Sequence, residues 1–242
     1  SSLTNELAII AGPNAFLSDF GERNDFDTNT GNTGFGIGVV HYLNFNDYYK
    51  CDCYGNMNFF NNHFKLRSEI SMNFIELDHK NSYYARPEKV NPSSPSYSDG
   101  SQKLYDHTGQ INNINIGTGL EFYPFGIADF QLGYERVSPY IGLGFYATKA
   151  TPGVSTDYGD GNVNNGDNFF WPDGIKPEST LNFNIALNLG TRIKINRYFD
   201  TLIDLKWHGY TSDVIDGLNH DGPSDKSNDW MLWGYFGIVY YL

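Results

Sequence analysis

The chain has 242 residues, 40% of them hydrophobic and 17% aromatic, with 18 Tyr and 18 Phe against 3 Met and a net charge of −12. Flat aromatic rings pack well on pleated surfaces, so this balance favours strands over helices. No run of about 18 apolar residues exists, which excludes a transmembrane helix; the acidic excess argues against nucleic acid as a partner.

Period-2 alternation between turn-rich stretches picks out eight strands in chain order. They run over Glu6–Phe16, Thr33–Leu43, Phe64–Leu77, Ile111–Tyr123, Pro139–Lys149, Leu181–Lys194, Thr201–Thr211 and Trp230–Leu242. The sixth is the cleanest: Leu181, Phe183, Ile185, Leu187 and Leu189 hold one face, and Asn182, Asn184, Asn188, Arg192 and Lys194 the other. Strands with one apolar and one polar face belong to a single closed sheet, so the expected fold is an all-β, eight-stranded antiparallel up-and-down barrel, one domain over residues 1–242.

The connections after strands one, three, five and seven are long and polar: Ser18–Asn32, Glu76–Gln110, Ala150–Glu178 and Ser212–Asp229. Together they hold 19 acidic and 7 basic side chains, a deficit equal to the whole net charge. Those near Pro124–Ser138 and Ile195–Asp200 are shorter. Long loops on one side and short turns on the other are the pattern of an outer-membrane barrel, with loops outside and turns in the periplasm. The connection Asn44–His63 breaks the rule. It contains Cys51 and Cys53, too close for a relaxed disulfide and too few for a structural zinc site, and reads as a docking surface.

Alternation alone leaves the inward face open. A soluble or periplasmic lipocalin-like barrel would turn its apolar face inward around a ligand; a membrane barrel would turn it to lipid. The polar faces favour the membrane. They are rich in Gly34, Gly36, Gly38, Gly117, Gly119, Gly142 and Gly144, and their charges can pair: Lys65, Arg67, Arg192, Lys194 and Lys206 against Glu69, Glu121 and Asp204. Buried charges need such partners, and an eight-stranded lumen is just wide enough for side chains to fill it. General diffusion through it is not expected.

The last strand carries a further sign. Tyr235, Gly237, Tyr240 and Leu242 resemble the C-terminal β-signal of outer-membrane proteins, an amphipathic edge captured by strand addition. The whole chain resembles eight-stranded barrels of the OmpA and OmpX type. The stretches Glu6–Gly12, Ser18–Gly21 and Asn32–Gly38 are similar to PorG-like barrels, which accompany the type IX secretion system. That resemblance implies an accessory, non-enzymatic subunit tying a periplasmic ring of lipoproteins to the outer membrane. The chain starts Ser1-Ser2-Leu3-Thr4, as removal of a signal peptide or another trimming would leave it.

Chemistry-bearing residues are few. His208 shares a face with Asp204 and Lys206, but no Gly-x-Ser-x-Gly elbow is present; it reads as a member of the luminal network rather than a catalytic base in an enzyme acting on lipid or peptide. Asp157, Asp160, Asn162, Asn164 and Asp167 offer oxygen ligands for calcium, yet their spacing departs from the EF-hand and suits solvated turns as well. In the same loop Phe169, Phe170 and Trp171 form an apolar tip that either folds onto the rim or anchors a protein partner. No cofactor is expected.

Overall fold

Strands whose two faces differ this much can hide one of them by closing into a barrel, and the chain does so. The computed structural model describes residues 4–18, 20, 31–45, 58–80, 82–212, 215–218 and 229–242. Within them β1 (Thr4–Leu17), β2 (Thr33–Asn44), β3 (Phe64–Asp78), β4 (His107–Phe122), β5 (Val137–Thr156), β6 (Thr180–Lys194), β7 (Phe199–Tyr210) and β8 (Trp230–Tyr241) form a closed barrel in sequence order. Every neighbouring pair is antiparallel, and β8 closes on β1 from Leu17↔Trp230 to Glu6↔Tyr241.

The ladder outlasts the alternation on one side. β4 starts at His107 rather than Ile111 and β5 runs to Thr156 rather than Lys149, paired from His107↔Thr156 onward. The added outward-facing residues of β5, Thr151, Gly153 and Ser155, carry no apolar side chain, while Ala150 and Pro152 are buried on the inner face. A strand extension that clears the lipid needs none, so this part is invisible to hydrophobic periodicity.

The connections separate by end. The two termini, the β6–β7 turn, the β4–β5 connection with helix α4 (Ile127–Leu132) and helix α1 (Phe59–His63) before β3 share one end. The other end holds the long loops, including α2 (Pro87–Val90) and α3 (Asp99–Asp106) between β3 and β4. The expected short turn near Pro124–Ser138 is therefore a helical connection. Gly126 at φ 78 and Gly133 at φ 81 bracket α4, and Gly133 lets its backbone N–H turn back to the Asp129 and Phe130 carbonyls. These positive φ angles favour glycine.

Candidate functional site

Alternation sorts the side chains inside out. Along β6, Asn182, Asn184, Ala186 and Asn188 are buried while Leu181, Phe183, Ile185, Leu187 and Leu189 are exposed. The same holds around the barrel: Ile70, Ile116, Phe145, Ile203 and Ile238 face outward, and Lys65, Arg67, Glu69, Glu121, Arg192, Asp204 and Lys206 are buried within. A soluble lipocalin-like barrel has the opposite arrangement, so this is a membrane-spanning barrel. At its short-turn end, exposed and half-buried rings form a girdle: Phe60 stacks on Phe64 at 4.8 Å, Phe64 meets Phe122 at 5.2 Å, and Phe199 meets Tyr240 at 5.2 Å. Such rings suit the level of the lipid headgroups.

The lumen is filled in tiers. Nearest the short turns stands Glu6, which pairs with Arg192 and with Lys65 at 2.7 Å and accepts from Asn44 Nδ2 at 2.7 Å. Gln131 of α4 reaches the same carboxylate at 3.0 Å, so this helix closes the short-turn mouth of the barrel. Beside it Asp200 pairs with Lys194 at 3.1 Å and accepts the Tyr241 hydroxyl. The Arg192 guanidinium lies 4.1 Å from the Tyr42 ring centre, a cation–π contact.

Arg67 governs the middle tier. It donates to Glu69 at 2.6 Å, to Glu121 at 2.9 Å and to the Tyr235 hydroxyl at 2.8 Å, with Asp204 at 3.5 Å. Lys206 pairs with Glu69 from the opposite side. Tyr123 and Tyr140 donate to Glu121 at 2.7 Å and Asp204 at 2.6 Å. Above this lies a hoop of amides and hydroxyls. Asn115 donates to Asn73 at 2.8 Å and accepts from Thr148 at 2.6 Å, Asn184 donates to Thr148 at 2.7 Å, and His208 Nδ1 lies 2.8 Å from Asn184 Oδ1. Five successive strands, β3 to β7, are thereby stitched across the lumen.

All eight charged residues singled out from the sequence lie in or beside these tiers. Glu6 and Asp200 join them unforeseen, and with both included the lumen holds five acidic and five basic side chains among the described residues. Glu6 sits on a strand whose inward face also carries Ala8, Ile10 and Phe16, so no polar face marks it. Asp200, assigned to a turn, is the second residue of β7. Inward Tyr140 and Tyr146 were legible in principle, being in phase with Gly142 and Gly144.

His208 is fully buried, with its ring 5.2 Å from Tyr146 and 6.2 Å from Tyr210. Its ring lies against one amide and two phenol rings. Of the residues singled out in the last strand, Tyr235 and Gly237 lie on the inner face with Met231, Trp233 and Val239, while Tyr240 and Leu242 are exposed. Cys51 and Cys53 lie outside the described residues.

Under the loops an apolar cap covers the hoop. Phe20 stacks on His79 at 4.6 Å, His79 lies 5.3 Å from His107, and Phe169 meets His107 edge-on at 5.3 Å. Burial pushes His79 down to about 3, with the His107 ring acting in the same direction, so it stays neutral in the cap. Phe169 is thus folded inward, while Phe170 is exposed and stacks edge-on with Trp171 at 4.8 Å. In the same loop Asp160 accepts from Asn168 Nδ2 at 2.5 Å and from the Asn162 backbone at 3.1 Å, and Asn162 from the Asn164 backbone at 3.0 Å. Two of the side chains considered for calcium, Asp160 and Asn162, thus serve Asx turns, and no group of three His, Cys, Asp or Glu suited to a metal exists among the described residues.

No protein-family model matches the chain, and no curated protein matches it. Solved structures similar to it include Ail, the attachment invasion locus protein of Yersinia pestis, in complex with the heparin analogue sucrose octasulfate, at 13% identity over all of both chains with a TM-score of 0.46. Neisserial surface protein A is similar at 11% identity over 99% of each chain, TM-score 0.48. OprG from Pseudomonas aeruginosa is similar at 12% identity over 100% of this chain and 98% of that one, TM-score 0.41. These likenesses concern the barrel alone, and the placement in a membrane rests on the burial pattern described above.

Proposed function

We propose that this chain is a non-enzymatic outer-membrane barrel that works through its two ends, as an accessory subunit, scaffold or anchor of a larger cell-envelope complex. The observation that carries this reading is the filled lumen. Five acidic and five basic side chains, capped by α4 below and by rings above, leave the barrel little to do by transport. What remains available is the loop surface. Tyr83 and Tyr84 stand exposed there, edge to face at 5.4 Å, with Lys89 Nζ 3.7 Å from the Tyr83 ring centre and Arg86 at 4.9 Å. Exposed Tyr and Arg are the residues that most often anchor a protein partner. Phe170 adds an apolar contact.

The most specific form of the reading is the PorG-like one, with loops outside and a lipoprotein ring below. Two of the three stretches that carry that resemblance, Glu6–Gly12 and Asn32–Gly38, lie largely in β1 and β2, where Glu6, Gly36 and Gly38 help build the interior, and the third, Ser18–Gly21, follows β1 directly in the chain. The resemblance therefore bears on barrel construction more than on contact surfaces. Reversible crosslinking in cells, followed by purification in mild detergent, tests the proposal: a stoichiometric envelope protein should co-elute. Recovery of the free monomer alone, at expression levels of the native locus, would overturn it.

A further inference from the structure

Most strand glycines of the barrel point into the lumen, where a side chain would collide. A Cβ at Gly38 would lie 2.8 Å from Ser71 Cβ, and one at Gly237 would lie 2.8 Å from Ile10 Cγ2. Gly234 is different. It is on the outer face of β8, in phase with Leu232 and Phe236, and a Cβ there would meet only Leu205 Cδ1 at 3.9 Å. Packing among the described residues does not demand glycine at this position. An interior strand glycine weakens the strand, and often marks a place where a ligand or another backbone comes close.

The strand beside it is interrupted at the same level. Pairing of β1 with β8 runs to Ala11↔Phe236 and resumes at Asn14↔Trp233, omitting Gly12 and Pro13. Pro13 has no N–H to leave unsatisfied, and the Gly12 carbonyl accepts from Trp233 Nε1 at 3.1 Å on the inner side. An unsatisfied backbone group facing hydrocarbon would cost several kcal/mol; Pro13 presents no donor there, and the Gly12 carbonyl is taken up by Trp233. A groove of about 480 Å³ follows, lined by Pro13, Leu189, Ile203, Leu205, Gly234 and Phe236.

We propose that this groove seats one acyl chain of a membrane lipid. Its rim is open to the outside, with Phe236 63% and Leu189 64% exposed. It lies within the apolar band that the barrel presents to the bilayer, where acyl chains are the solvent. The lining is mainly aliphatic and aromatic, with Thr191 and Asp204 beside it, so it suits methylenes and offers no cation for a headgroup. The lipid is held as a specific guest, distinct from the annular lipids that touch the rest of the wall.

Native mass spectrometry of the full chain, extracted from its own membranes and exchanged into mild detergent, tests this. Wild type should carry one lipid per barrel, its mass distinguishing a phospholipid from lipid A as the source of the chain. Gly234→Leu, which fills the groove, should lose that adduct several-fold while keeping wild-type heat-modifiable migration. Leu205→Trp fills the groove from β7 and serves if Gly234→Leu does not assemble. Ile116→Phe, on the lipid face of β4 away from the groove, should retain the adduct. The proposal is overturned by wild type without an adduct, by equal retention in both filled variants, by equal loss in Ile116→Phe, or by a two-barrel mass that only the filled variants lose.

Discussion

The lumen and the loop end of this barrel solve opposite problems. Inside, nine charged side chains are buried and a tenth, Lys194, is nearly so, and each survives because a partner of opposite sign lies within reach. At the loop end the charges are mostly acidic and solvated, and order comes from Asx turns, short helices and stacked rings. The lumen is therefore rigid and intolerant of change, whereas the loop surface is free to carry recognition. That contrast can be broken by substitution.

The largest effect is expected at Arg67, which serves Glu69, Glu121 and Asp204 together. Arg67→Ala leaves three buried carboxylates short of a cation and should cost about 3–5 kcal/mol, read from urea unfolding in lipid vesicles. A loss below about 1 kcal/mol, the scale of a surface pair, would mean that water screens the lumen. Asn115→Ala opens the amide hoop at its centre and strands Thr148 and Asn73, for an expected cost of about 1–3 kcal/mol in the same assay.

At the loop end the sign of the contrast reverses. Tyr84→Ala should change stability by no more than about 0.5 kcal/mol, yet should lower partner recovery after crosslinking. A stability loss as large as that of Asn115→Ala would place Tyr84 in the fold rather than in recognition.

The smallest expected effect is in the loops and concerns pH. The Asp99 carboxylate accepts the Tyr158 hydroxyl and pushes that phenol up to about 12. A raised phenol favours its neutral form when folded, so this contribution is complete below the ordinary phenol value of about 10 and lost as pH rises through about 12. Absorbance titration of wild type minus Tyr158→Phe should show a single late phenol; a midpoint near 10 would show that the contact does not persist in solution.

Much of this was legible in the sequence because the sheet period is two. Leu181–Lys194 displays both faces without ambiguity, and one such strand implies the orientation of all. Glu6 escaped because its strand puts Ala8, Ile10 and Phe16 on the luminal face, so sorting by polarity finds nothing to sort. Its place follows only from register, which sets Glu6 opposite Tyr42 and brings Lys65 and Arg192 across the lumen. The stack of Phe20, His79, His107 and Phe169 joins four segments far apart in the chain, and local pattern carries no trace of it. The strand extensions of β4 and β5 were hidden because, beyond the lipid, a strand need not alternate.

The claim beneath all of this is that paired charges close the lumen and leave the ends to act. Planar-bilayer recording of the purified, heat-modifiable barrel tests it most directly. The filled lumen predicts a flat current with no unitary steps across the usual voltage range, and current appearing only when the Arg67 tier is dismantled. Stable single-channel openings from the wild-type barrel would contradict it.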